Sequence, residues 1–270
     1  MRIPKSMLPG EIGRKPDRAQ DLSPITGLGT VPWSREDVSA ALDAFLPMFE
    51  RRPIRENQGG MRSVGLFNVW FLLNRLRPGS VLESGIWKGQ STWLIEETLP
   101  GAEIVSIDIN LPIREYISRK ARYSDTDFLK IDMSAFGWKS ESGLAFFDDH
   151  QDVIPRLKKC QALGIKHIIL DDNYPEFLGA RHISAAAILN DRNPDGTVRY
   201  AADRQWLLEN TGTYYLCMSI FDYLEPLTME KSYIKEPSLL GRFDPARHAR
   251  YETYSRDLPE YRWTTYLKLK

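Results

Sequence analysis

The chain has 270 residues, and its 36 basic and 36 acidic side chains give a formal charge of zero. The length suits one large domain or one domain with an elaborated cap, and the balanced charge argues against an electrostatic nucleic-acid binder. The two cysteines, Cys160 and Cys217, form neither a disulfide framework nor a metal-binding spacing. No apolar run is long enough to span a membrane, and residues 1–15 lack the apolar centre of a secretory signal, so we expect a cytoplasmic protein without a membrane partner.

The N-terminal part is predicted to be an arm followed by a helix. Residues 1–32 mix prolines, glycines and charges without periodicity. This arm could be disordered or could wrap a neighbouring subunit of a homo-oligomer. Ser34 then precedes an acidic turn and apolar residues at helical spacing, which predicts a capped helix that ends near Pro47 and Pro53.

A polar, glycine-rich loop over residues 54–65 precedes a second predicted helix over 66–76. Asn57, Gln58 and Arg62 form a dense group of hydrogen-bond donors in this loop. They could contact a ligand, or they could be solvated, because loops are polar in any case.

The stretch from Val81 to Thr92, VLESGIWKGQST, predicts a strand, a tight turn and the start of a helix. Glycines in such a turn allow a positive φ or the close approach of a ligand, and free N–H groups at the helix start favour an electronegative ligand. Glu83 can accept hydrogen bonds but repels phosphate, and the P-loop pattern is absent. The alternative is an ordinary strand-to-helix turn with two structural glycines.

Short apolar runs then alternate with helical patterns, which predicts an α/β fold: a doubly wound, Rossmann-like, mostly parallel sheet of about seven strands with helices on both faces. After a helix that ends near Leu99, the predicted strands are 103–108, 127–131, 143–148 and 165–171, and the predicted helices are 112–121 and 153–163. Ligands bind such sheets outside the carboxyl ends of the strands. An acidic residue falls at or just beyond each of these ends: Glu83, Asp108, Asp132, Asp148 and Asp171.

Two of these strand ends carry paired acids. Asp148 and Asp149 precede His150, and Asp171 and Asp172 follow the fifth predicted strand. Carboxylates in one crevice repel one another unless a cation or protons intervene, and an oxygen-rich site suits Mg²⁺ or Mn²⁺. Alternatively, the acids cap the following helices. His150 could be a general base, or a loop histidine that bonds to a neighbouring acid.

The glycine turn and the acid twenty-five residues after Glu83 resemble those of the class I S-adenosylmethionine-dependent methyltransferases, over about residues 78–175. The resemblance implies that the turn holds the methionine part of S-adenosylmethionine, that Asp108 holds the ribose and that Asp132 reads the adenine. The cofactor residues that it implies are Glu83, Gly85, Trp87, Gly89, Ser91, Thr92, Asp108 and Asp132.

The paired acids resemble those of the metal-dependent sugar O-methyltransferases of the macrocin type and the related cephalosporin hydroxylase-type proteins. The implied metal ligands are Asp148 or Asp149, Asp171 and Asp172, and the implied catalytic groups are Asp148, Asp149 and His150. The sequence departs from that pattern in two places. It has Asp-Asp-His where the sugar enzymes tend to have Asp-Gly-Asp, and Asn173 where an aromatic residue is common.

The C-terminal part is predicted to cap the core. We expect a helix over 183–189 and a final strand over 264–270. The aromatic residues between 199 and 263 could contact sugar rings, form a packing layer or form a dimer interface. The chain then divides into an arm with its helix (1–60), a core (61–175) and a capping region (176–270) that shares one structural domain with the core.

The leading interpretation is a divalent-metal-dependent O-methyltransferase that transfers a methyl group to a hydroxyl of a sugar, glycan or other polyhydroxylated small molecule. A nicotinamide-dependent oxidoreductase is an alternative, against which Glu83 and the missing Gly-x-Gly-x-x-Gly pattern argue. Another alternative is a non-catalytic member of the fold that binds cofactor or metal.

Overall fold

The computed structural model describes residues 29–138, 142–171, 173, 184–190, 192–217, 249 and 264–270. Most of the predicted arm, the start of the predicted helix at 183 and most of the aromatic stretch after 217 lie outside these residues, as does Asp172. Among the described helices, none is both long and apolar enough to cross a membrane.

The described residues form an α/β fold built on one seven-stranded sheet. The helices are α1 (Arg35–Glu50), α2 (Ser63–Leu76), α3 (Gln90–Thr98), α4 (Val153–Ala162), α5 (Ala185–Asn190) and α6 (Ala201–Asn210). The strands are β1 (Ser80–Ser84), β2 (Glu103–Ile107), β3 (Arg122–Ser124), β4 (Gly143–Phe147), β5 (His167–Leu170), β6 (Thr211–Leu216) and β7 (Thr265–Leu269).

The strand order is β3-β2-β1-β4-β5-β7-β6. Neighbouring strands from β3 to β5 pair in parallel, whereas β7 is antiparallel to both β5 and β6. This arrangement confirms the predicted doubly wound, mostly parallel sheet. It also brings the carboxyl ends of β1, β2, β4 and β5 to one edge.

Helices cover both faces of the sheet. Successive strand residues point to opposite sides, so neighbouring residues of one strand pack against different helices. Val81 belongs to a core cluster with residues of α1, α2 and α3. Leu82, its neighbour, belongs to a second cluster with residues of α4, α5 and α6. Cys160 and Cys217 are buried free thiols, as predicted, and burial raises the pKa of Cys160.

The first helix begins as its sequence predicts. Ser34 Oγ accepts a hydrogen bond from the Asp37 N–H at 3.1 Å, and the Asp37 carboxylate accepts one from the Ser34 N–H at 2.8 Å. This reciprocal pair is a capping box. The helix continues through Pro47 to Glu50 before it ends.

Two elements between β2 and β4 were predicted wrongly. The third strand is Arg122–Ser124 rather than 127–131, and the expected helix over 112–121 is reduced to a 3₁₀ turn at Leu111–Ile113. The Asp127 carbonyl accepts hydrogen bonds from the N–H groups of Lys130 and Ile131, so this segment folds as a turn. Phe128 and Ile131 are buried in the core cluster that includes α4, whereas Leu129 is exposed, so the apolar run reflects a partly buried turn rather than a strand.

The aromatic residues described between 199 and 217 serve packing. Tyr215 meets Trp33 edge-on at 5.5 Å between ring centroids, and Tyr200 and Trp206 pack against the second core cluster. The predictions also missed α6 and β6, which lie in this stretch. Gly29 pairs with Thr213 in a parallel bridge, so the chain enters the described region beside β6.

Asn173 joins the parallel and antiparallel parts of the sheet. Its buried amide nitrogen donates to Tyr214 Oη in β6 at 2.8 Å and to Thr265 Oγ1 in β7 at 2.7 Å. Its amide oxygen accepts from Ser184 Oγ at 3.0 Å and from the Ala186 N–H at 2.9 Å. Both donors and both acceptor positions of the Asn173 side chain are therefore hydrogen-bonded within the protein.

Replacement of Asn173 with Ala should destabilise the fold by about 2–4 kcal/mol, because it leaves several buried polar groups unpaired. Asn190 is the matched control, since its half-buried amide donates to the Ala186 carbonyl at 2.9 Å and Asn190→Ala should cost about 1 kcal/mol or less. Urea unfolding measures both. Equal losses for the two variants would contradict the structural role of Asn173.

Candidate active site

The glycine turn between β1 and α3 packs against the chain's own backbone. Gly85 and Gly89 have φ values of 96° and 94°, which favour glycine. A Cβ on Gly85 would collide with the backbone of Asp148, and one on Gly89 would lie 2.5 Å from the Tyr116 carbonyl oxygen. These contacts are sufficient to require glycine at both positions, in line with the positive φ and the structural role that the sequence analysis gave beside the approach of a ligand.

Glu83 ends β1 as a fully buried acid. Its Oε2 accepts hydrogen bonds from Thr92 Oγ1 and Ser106 Oγ, each at 2.6 Å, while its buried Oε1 accepts no hydrogen bond from any residue that the structure describes. Burial raises the pKa of Glu83, and the hydroxyls of Ser106, Ser91 and Thr92 oppose that rise. Ser91 and Thr92, both predicted cofactor residues, therefore lie beside this carboxyl.

Asp108 follows β2 and lies beside the glycine turn, as the sequence spacing predicts. Its Oδ2 accepts hydrogen bonds from the N–H groups of Ile86 at 2.8 Å and Trp87 at 3.0 Å. Its Oδ1 accepts one from the Asn110 N–H at 2.8 Å. The half-buried carboxylate thus connects the first two strand ends.

The polar loop before α2 contacts the same turn. Trp87, which is 41% exposed and has a φ of 49°, donates its indole N–H to the Gln58 carbonyl at 3.2 Å. Asn57 is buried and donates to the Met61 carbonyl, while its Oδ1 has no partner in the structure. Arg62 is the N-cap residue of α2 and makes no side-chain capping bond. The loop is therefore not fully solvated, since it contacts the glycine turn, and contact of its side chains with a ligand stays a prediction.

A small cleft, partly open to solvent, lies outside the ends of β4 and β5. The residues that line it are Phe147, Asp148, Asp149, His150, Gln151, Val153, Arg156, Leu170, Asp171 and Asn173. The structure therefore brings Asp148, Asp149, His150 and Asp171 together, as predicted. Asp172 lies outside the described residues.

The acids in the cleft differ in their surroundings. Asp149 Oδ2 accepts hydrogen bonds from Ser84 Oγ at 2.5 Å and from Arg156 Nε at 2.7 Å. Asp171 Oδ1 accepts one from Thr264 Oγ1 at 2.9 Å. Within the part of the chain that the structure describes, no group of three His, Cys, Asp or Glu residues is placed to hold a metal ion.

The expected position of Asp132 was wrong. It does not follow the third strand but is the exposed N-cap residue of a 3₁₀ turn at Met133–Phe136. Its Oδ1 accepts hydrogen bonds from the N–H and the hydroxyl of Ser134. These bonds hold its pKa below the usual value.

Two histidines have different settings. His150 lies at the cleft and is exposed, with a left-handed φ of 52°. His167 lies in β5, where its Nδ1 is 2.8 Å from Tyr266 Oη and its ring stacks on Tyr266. Burial lowers the pKa of His167, and Lys268 and Lys166 lower it further. His167 is therefore a packing residue.

Sequence reasoning missed Arg156, Ser84 and Ser106. Arg156 lies on α4 and is 2% exposed, which is rare for a charged residue without partners. Its guanidinium bonds to Asp149 and to Asp127 Oδ2, the latter through Nη2 at 2.7 Å. The apolar spacing of α4 places residue 156 near the buried face, and this was the signal available in the sequence.

Comparisons with known proteins give low similarity. No protein-family model and no curated protein sequence matches the chain. The O-methyltransferase TomG from Streptomyces achromogenes, solved with S-adenosylmethionine, is 13% identical, covers 88% of this chain and 91% of its own, and has a TM-score of 0.47. A putative caffeoyl-CoA O-methyltransferase from Staphylococcus aureus is 15% identical, covers 67% of this chain and 94% of its own, and has a TM-score of 0.45.

The apo structure of CmcI is 16% identical, covers 40% of this chain and has a TM-score of 0.34. The chain spans about half of the length of CmcI, since the match covers 51% of that protein. These identities and scores are too low to assign this chain to a family.

The raised pKa of Glu83 gives a test of its burial. The folded protein takes up the proton at a higher pH than the unfolded chain, so this group favours folding more as pH falls from neutrality. As pH falls from neutrality towards the ordinary titration range of a glutamate, the unfolding free energy of the wild type should therefore rise relative to that of Glu83→Gln. Urea titrations at several pH values measure the difference.

Glu36, an exposed residue of α1, provides the control for that comparison. The Glu36→Gln variant should keep the wild-type pH dependence. If Glu83→Gln also kept it, Glu83 would not be a buried acid with a raised pKa.

Proposed function

We propose that this protein is an S-adenosylmethionine-dependent O-methyltransferase that uses a divalent metal and acts on a hydroxyl of a sugar, glycan or other polyhydroxylated small molecule. The observation that carries the proposal is the buried, unpartnered Oε1 of Glu83 beside the glycine turn. A buried oxygen without a hydrogen bond is costly, which favours a ligand that donates to it.

The residues at the first two strand ends fit S-adenosylmethionine. The α-ammonium group of its methionine part is a donor that suits Glu83 Oε1. Asp108 is half-buried beside the same turn, and a carboxylate there has lone pairs for ribose hydroxyls. A nicotinamide dinucleotide fits less well, since its pyrophosphate would approach the start of α3 close to the Glu83 carboxyl.

Oxygen donors at the fourth and fifth strand ends support the proposed divalent metal, although the described residues alone form no three-ligand group. Asp148 and Asp171 line one cleft and offer oxygen ligands, which suit Mg²⁺ or Mn²⁺. Asp172 follows Asp171 in the sequence and completes the proposed ligand set. A bound metal would orient the acceptor oxygen and lower the pKa of the acceptor hydroxyl.

The chain's own residues then position the two substrates and accept a proton. The turn around Gly85 adjoins the Asp148 backbone, so a donor at the turn and an acceptor in the cleft are neighbours. In such a transfer the acceptor oxygen would bond to the methyl carbon of S-adenosylmethionine as the sulfur–carbon bond breaks, and S-adenosylhomocysteine would be the leaving group. The acceptor proton passes to His150 or Asp148, and alignment supplies much of the rate.

Replacement of Glu83 with Gln should weaken S-adenosylmethionine binding by about 1.5–3 kcal/mol, because it replaces a charged acceptor with an amide. Isothermal titration calorimetry measures this loss, and Glu36→Gln again provides the control. Tight binding of NADH together with unchanged S-adenosylmethionine binding in Glu83→Gln would contradict the assignment of the cofactor.

Chelation with EDTA should abolish methyl transfer, and Mg²⁺ or Mn²⁺ should restore it. Asp171→Asn should lose activity while S-adenosylmethionine still binds, because the proposed cofactor and metal sites use different strand ends. The control is Asp152→Asn, which removes an acid two residues beyond His150 that does not line the cleft. Transfer of radiolabelled methyl groups to a panel of polyhydroxylated acceptors measures activity, and full activity after chelation would refute the metal.

A further inference from the structure

Arg156 is a buried cation that joins three segments at the edge of the cleft. Its side chain is 3% exposed. Nε donates to Asp149 in the loop after β4, and Nη2 donates to Asp127 in the connection after β3, both at 2.7 Å. Asp149 in turn accepts a hydrogen bond from Ser84, the last residue of β1.

The geometry of these bonds requires arginine. Two carboxylates are bound at once through different nitrogens of one planar group, which the single ammonium of lysine does not reproduce. A guanidinium buried this deeply without its partners would be costly, so the three charges depend on one another. Each of the two acids is a structural partner of Arg156.

Asp149 is engaged on both oxygens. Its Oδ2 accepts from Ser84 and Arg156, and its Oδ1 accepts from the Gln151 N–H at 3.2 Å. A divalent cation on this carboxylate would lie close to the guanidinium and would be repelled by it. Asp149 therefore suits an internal counter-ion better than a metal ligand.

The same contacts fix the backbone next to Asp149. The Asp148–Asp149 peptide lies against the Cα of Gly85, so a Cβ there would collide with it. Arg156 holds the Asp149 side chain from the other end of the loop. His150 follows in the left-handed region, a conformation that costs a non-glycine residue about 1 kcal/mol or more and persists only when its surroundings enforce it.

Lys159 adds a second link between α4 and the connection after β3. Lys159, three residues after Arg156 on α4, donates to the carbonyls of Phe128 at 2.6 Å and Ile131 at 2.7 Å. Asp127 also accepts a hydrogen bond from the Leu129 N–H at 2.9 Å. One face of α4 thus holds both the loop after β4 and the connection after β3.

We propose that Arg156 is a positioning residue of the active site, which keeps Asp149 as its counter-ion and so assigns the metal contact of the β4 loop to Asp148. This inference rests on the proposed function, and it decides between the two acids that the sequence left open. Arg156 touches neither cofactor nor acceptor in this assignment. It acts by holding Asp148 and His150 at the cleft.

The metal part of the inference is tested by direct Mn²⁺ binding, followed through the electron paramagnetic resonance signal of the free ion. Asp171→Asn should raise the dissociation constant for Mn²⁺ about tenfold or more, whereas Asp149→Asn should raise it no more than Arg156→Lys, which disturbs the same ion pair but keeps the Asp149 carboxylate. A loss of affinity in Asp149→Asn equal to that in Asp171→Asn, together with a smaller loss in Arg156→Lys, would overturn the assignment.

The positioning part is tested with Arg156→Lys and with Asp127→Asn, a milder change that leaves the Arg156–Asp149 pair in place. Arg156→Lys should lower kcat about tenfold or more while S-adenosylmethionine binding is retained, because the loop is displaced. The imidazole NMR signal of His150, assigned by its loss in His150→Gln, should shift in Arg156→Lys. The same signal should shift less in Asp127→Asn.

An unshifted His150 signal in a folded Arg156→Lys variant would overturn the positioning role. The two proposals fail separately. Absence of Mn²⁺ binding in the wild type would refute the metal and the Asp148 assignment, while the His150 signal would still decide whether Arg156 positions the loop.

Discussion

The close contact between the glycine turn and the loop after β4 is the constraint on which the candidate site depends. With a side chain at residue 85, the Asp148 backbone would have to move away from the end of β1. Ser84 would then be drawn away from Asp149, and the cleft would lose one wall. The parallel pairing of β1 with β4 sets this contact, since it places Ser84 beside Phe147 in register.

The candidate site contains acids whose surroundings differ. Glu83 is uncharged more readily than an exposed acid, because burial raises its pKa and only hydroxyls surround one of its oxygens. Asp149 keeps a cation beside it. The two acids at the ends of the neighbouring strands β1 and β4 therefore differ in chemistry: Glu83 is surrounded by hydroxyls, whereas Asp149 belongs to a charge pair.

Sequence patterns located most of the sheet and the strand-end acids, because both depend on local regularities. The strands β1, β2, β4, β5 and β7 consist of short apolar runs, and an acid follows or ends most of them. The third strand was misplaced because it has only three residues, none of them fully buried, while the apolar turn after it mimics a strand. Short edge strands carry little hydrophobic signal.

The roles of individual acids could not be predicted, because they depend on contacts between distant residues. Asp149 is separated from Ser84 by 65 positions, and nothing in the local sequence distinguishes it from Asp148. Asp132 satisfied the expected spacing but caps a turn. Arg156 needed the fold to bring Asp127 and Asp149 to the same guanidinium.

The position of β7 has a consequence for how the molecule assembles. β7 lies between β5 and β6, although both of those strands precede it in the chain. The hydrogen bond from Asn173 to Thr265 spans 92 positions. Closing so long a loop costs conformational entropy, so we expect this contact to form late in folding. Until residues 265–269 arrive, β5 and β6 each expose an unpaired edge, and the nascent sheet is most prone to intermolecular pairing at that stage of synthesis.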